Sequence, residues 1–93
     1  MNIEIVAIPW YKEDEFAEIR IIMEDGDKLH ARYSDWLTAA EQLKKPYQDR
    51  GIVAIEAYID PGAFVAWCNG RCLNPDAKAR MLYVNLVAKL MAR

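Results

Sequence analysis

Apolar residues in this chain fall into two short runs and several longer stretches at helical spacing. In residues 3–8 (IEIVAI), an extended backbone puts Ile3, Ile5 and Ala7 on one side and Glu4, Val6 and Ile8 on the other. In residues 52–59 (IVAIEAYI), Val53, Ile55, Ala57 and Ile59 make a wholly apolar side, and Glu56 shares the opposite side with Ile52, Ala54 and Tyr58. Each run therefore has one clean apolar face and one face interrupted by a single Glu. That pattern predicts two strands of a small sheet, covered by helices more completely on one side than on the other.

The stretches between and after these runs follow the helical period. Glu13, Asp14 and Glu15 suit a first helical turn, and Phe16, Ile19, Ile22 and Met23 recur behind them. This predicts a helix over 13–24, although residues 13–32 also admit a hairpin turning at Asp25-Gly26. Ser34 reads as the N-cap of a second helix with the stripe Trp36, Ala40, Leu43 and Tyr47, distorted at Pro46 and stopped by Gly51. Asp60-Pro61 opens a third helix through Phe64, Val65, Trp67 and Cys68, with Gly70 as its stop, and Asn74-Pro75 opens a fourth. In this last helix Ala79, Leu82, Tyr83, Leu86, Val87 and Leu90 form the apolar arc. The expected fold is a single α/β domain over residues 1–93, with a two-stranded sheet and about four helices in the order β-α-α-β-α-α. A helical connection between neighbouring strands favours parallel pairing.

Composition adds one expectation. A chain of 93 residues buries a modest share of its surface, yet 54% of this one is apolar, with three Trp and five Tyr. The surplus, together with the open edges of a two-stranded sheet, points to self-association or a protein partner, with a homodimer as the simplest form. Charge sharpens that picture. Residues 1–70 hold seven Lys or Arg against thirteen Asp or Glu, a balance of −6, whereas residues 71–93 hold five against one, a balance of +4. A basic last helix suits an acidic partner surface. No run is apolar enough for a membrane span or a secretory leader, so a cytoplasmic protein with reduced cysteines is expected.

The segments IPWYKEDEF, YSDWLTAAEQL, IDPGAFVAWC and NPDAKAR together resemble small uncharacterised bacterial proteins of about this length. The resemblance covers nearly the whole chain and implies a bacterial, cytosolic setting. It implies no activity and no catalytic residue.

Candidate chemistry is sparse. Cys68 and Cys72 flank Asn69-Gly70 with three residues between them, unlike the two of a redox pair, and with His30 they fall short of the four ligands of a structural zinc site. They are thiols to test, with packing and helix termination as the simpler roles. His30 belongs to no nucleophile motif. Glu4 and Glu56 sit at similar places on the two strands and could face each other as a carboxylate pair. Arg80 lies inside the apolar arc of the last helix, where an arginine must pair with an acid such as Asp60 or Glu56, snorkel, or meet a partner or anionic ligand. Trp10 and Tyr11, directly after the first strand, complete a candidate interaction or ligand surface with Arg80. There is no phosphate loop, the chain is acidic overall, and its few basic residues are too dispersed for a nucleic-acid stripe. These features favour a non-enzymatic interaction module without cofactor, metal or catalytic residue. A small-ligand-binding or enzymatic domain using Arg80 and the strand ends is the alternative, and a nucleic-acid accessory role is weaker.

Overall fold

The computed structural model describes residues 3–91. Two parallel strands, β1 (Ile5–Trp10) and β2 (Val53–Tyr58), pair in a two-stranded sheet, in the register Ile5 opposite Val53 through Trp10 opposite Tyr58. Four α-helices complete the order β-α-α-β-α-α: α1 (Phe16–Ile22), α2 (Tyr33–Asp49), α3 (Pro61–Gly70) and α4 (Ala77–Met91). The register aligns the clean apolar side of β1 with that of β2, as the alternation requires. β1 continues two residues beyond the IEIVAI run, through Pro9 to Trp10. An edge strand tolerates proline, because the missing N–H need not meet a second neighbour.

Residues 13–32 do not form a hairpin; their regular structure is helical. A 3-10 turn at Glu13–Glu15 leads into α1, which ends at Ile22, and a second 3-10 turn spans Gly26–Lys28. Three helix boundaries differ from the sequence expectation. Ser34 is not the N-cap of α2; the helix starts at Tyr33, whose hydroxyl donates to the Tyr11 carbonyl at 3.1 Å and draws the first turn towards the end of β1. The Ser34 carbonyl instead accepts the Thr38 hydroxyl. Asn74-Pro75 does not open α4; Asp76 does, its carboxylate accepting the Ala79 N–H at 2.9 Å, while the Pro75 carbonyl is taken by the Glu24 N–H. Gly70 is the last residue of α3 and not the left-handed residue after it, which is Cys72 at φ 55°. Asp60-Pro61, by contrast, caps α3 as read, with the Ala63 N–H on the Asp60 carboxylate at 2.8 Å.

The core is one buried cluster drawn from every element, with Phe64, Ile19, Ile59, Val84 and Cys68 its most enclosed side chains. Two groups of aromatic rings meet in it. Trp10, Tyr11, Phe16, Tyr33 and Trp36 join the end of β1 to α1 and α2, while Phe64, Trp67 and Tyr83 join α3 to α4. The buried side of α4 runs through Ala79, Arg80 and Val84, flanked by Tyr83 and Val87. This turns the helix away from the arc expected from its leucines, and Leu82, Leu86 and Leu90 are left exposed.

Candidate functional site

The chemistry of the fold collects around Arg80. The Asp76 cap sets the start of α4, and Arg80 lies one turn later, its N–H on the Asp76 carbonyl. On that turn the side chain enters the core and is only 8% exposed. Desolvating a guanidinium is costly unless it is paired, and the partner is Asp25: Nη1 and Nη2 donate to the two carboxylate oxygens at 2.7 and 2.8 Å. Neither Asp60 nor Glu56, the acids expected for this role, provides it. Asp25 sits between α1 and the following 3-10 turn, in a loop whose path depends on Gly26. A Cβ at Gly26 would lie 1.8 Å from the Arg20 carbonyl oxygen, so the backbone of the loop packs on α1 where no side chain fits. The Arg80 hydrogen bonds hold the Asp25 carboxyl below its ordinary range, against the opposing effect of burial.

Tyr11 completes the group. Its ring lies among those of Phe16 and Trp36, with centroids 6.0 and 4.9 Å away. Burial pushes its phenol up, and the nearby Arg80 charge works against that. Tyr11, Trp36 and Arg80 line one cleft of about 320 Å³ between the end of β1, α2 and the start of α4. Its walls are largely apolar, and its mouth includes Lys28 and His30. Trp10 does not line it. That residue is core, edge-on to Trp36 at 5.2 Å, with the Lys44 ammonium 5.3 Å from its ring centre.

A second concavity, of about 530 Å³, lies between α3 and α4. Trp67, Leu73, Leu82 and Leu86 give it apolar walls, and Arg71 and Lys89 give it a positive rim. The Arg71 guanidinium sits over the Trp67 ring, 4.6 Å from its centre.

The remaining candidates separate. Glu4 and Glu56 do not face each other: Ile8 stands opposite Glu56, four residues beyond Glu4, and Glu56 pairs with Lys44 at 2.6 Å. Cys68 is fully buried and Cys72 exposed, and both are free thiols. Burial, followed by the charge of Asp76, pushes the Cys68 thiol up and so disfavours its reactive thiolate. Among the described residues no three His, Cys, Asp or Glu gather as a metal site, and no helix is long and apolar enough to cross a membrane. Sequence reasoning missed Asp25 as the partner of Arg80 and Lys28 and His30 as neighbours of the same cleft. No local signal marks them, because 55 residues separate Asp25 from Arg80. No protein family, curated protein or solved structure matches the chain.

Proposed function

We propose that this protein is a non-enzymatic, self-associating interaction module whose docking face is the outward side of α4 with the adjoining α3 groove. The observation that carries this reading is the row Leu82, Leu86 and Leu90. These leucines stand on successive turns of one helix and are 44%, 41% and 66% exposed, where a folded monomer gains little from them. A second copy is the occupant we assign. The rim of the groove is positive, with Arg71 and Lys89, while residues 1–70 of the same chain carry a balance of −6, so another molecule supplies the complementary acidic surface. The shape supports it as well. The chain measures 41 × 31 × 19 Å with a radius of gyration of 13.6 Å, against roughly 12 Å for a compact domain of this length, and so is a thin slab with a broad face to cover.

Sedimentation velocity over micromolar to millimolar protein tests the reading. A concentration-dependent dimer is expected, weakened by added salt. Leu86→Glu should shift it to monomer and change the urea midpoint little when both proteins are compared at a concentration where they are monomeric, because the side chain it replaces is already 41% exposed. A strict monomer at millimolar concentration, or a dimer indifferent to Leu86→Glu, overturns the proposal.

A further inference from the structure

We propose that the cleft between the end of β1, α2 and the start of α4 binds a small organic monoanion with an apolar body, of the class of a medium-chain carboxylate. The site is separate from the α3–α4 groove and does not depend on self-association. Its volume of about 320 Å³ lies at the lower end of the range for small-molecule sites, which are mostly apolar with a few convergent polar groups. Here the apolar walls include Ile8, Leu29, Trp36 and Met81. The ionisable side chains on the lining are Tyr11, Lys28, His30 and Arg80, all donors or cations, and no carboxylate is among them. That selection determines the sign of the ligand.

The amount of charge follows from the pairing. Asp25, which is not on the lining, takes Nη1 and Nη2 of Arg80 and fixes the guanidinium plane, so that Arg80 is an oriented donor without a full free charge. Lys28 and His30 are exposed and take part in no ion pair among the described residues. With Arg80 matched by Asp25, Lys28 is the one Lys or Arg on the lining without an ion pair among the described residues, a single charge that a monocarboxylate matches and a phosphate dianion exceeds. The aliphatic or aromatic body of the acid would lie along Trp36 and Ile8, away from the charged mouth.

Titration of the ¹⁵N-labelled full chain with sodium octanoate tests the inference, with 1-octanol and inorganic phosphate as comparison probes. Octanoate at millimolar concentration is expected to shift the amides of residues 28–30 and 77–81 and the Trp36 indole, while octanol and phosphate bind at least about tenfold more weakly. Lys28→Glu, a change at an exposed side chain, should weaken octanoate about tenfold and leave octanol unaffected. Ala77→Phe, which places a ring into the cleft from the exposed first turn of α4, should abolish the shifts. The inference is overturned if octanoate leaves the cleft amides unmoved or binds only at the α3–α4 groove. Equal binding of octanol, insensitive to Lys28→Glu, overturns it too, since the site would then read apolar bulk alone.

Discussion

Cys72 and Gly51 occupy the same structural position with opposite chemistry. Each follows a helix, each has positive φ, and each closes the helix end with the same two hydrogen bonds. Leu73 N–H reaches the Cys68 carbonyl and Cys72 N–H the Asn69 carbonyl; Ile52 N–H reaches the Tyr47 carbonyl and Gly51 N–H the Gln48 carbonyl. Glycine adopts this conformation freely, whereas a residue with a Cβ pays about 1 kcal/mol or more for it. Cys72→Gly is therefore expected to stabilise the protein by about 1 kcal/mol, measured as a rise in the urea midpoint with unchanged slope. No loss is expected with the side chain, which is exposed and unbonded. Gly51 was legible in the sequence because its residue type announces its backbone. Cys72 was not, and Gly70 two residues earlier carried the ordinary signal for a helix stop while itself remaining helical.

At the scale of elements, the periods of two and of 3.6 residues located both strands and all four helices, and the errors fell at the ends of helices and of β1 and on helix rotation. Asp76 displaced Asn74 as the cap of α4 because its carboxylate takes the Ala79 N–H and so starts the helix two residues later, a choice local sequence leaves open. The rotation of α4 was decided by burying Val84 and pairing Arg80, and the leucines lost that competition for the core side. Pro46 marks another cost internal to an element. α2 runs through it to Asp49, although proline has no N–H for the Gln42 carbonyl. Proline within a helix is disfavoured by up to about 3 kcal/mol, less near its end. Pro46→Ala, at an exposed site three residues before the end of α2, should raise stability by about 1–2 kcal/mol. Increased far-ultraviolet ellipticity and a higher melting temperature would record it; an unchanged midpoint would mean that α2 already frays before Pro46.

Over the whole molecule, the Asp25–Arg80 pair joins the first half of the chain to its last helix, and it makes stability depend on pH. With its folded-state pKa lowered, Asp25 contributes stability that is complete above the unfolded carboxylate range and is lost as pH falls from about 5 through the lowered value. Asp25→Asn should cost about 3 kcal/mol at pH 7, since it leaves Arg80 buried without its counter-charge. The gap from the parent should narrow on acidification, and urea midpoints at pH 7 and pH 3 measure both effects. Addition of Arg80→Met to Asp25→Asn should recover part of the loss, because the orphaned charge is removed. Sequence alone determined the element types, the order β-α-α-β-α-α, the Asp60-Pro61 cap and that Arg80 must pair, snorkel or meet a partner, all of which follow from chain periodicity and from the solvation demands of single residues. Tertiary structure decided that the neighbour is Asp25, that Glu4 and Glu56 lie apart, that Trp10 is core while Tyr11 reaches a cleft, and which side of α4 faces outward. These are outcomes of competition between segments for the same limited interior, and no residue carries the positions of its distant competitors.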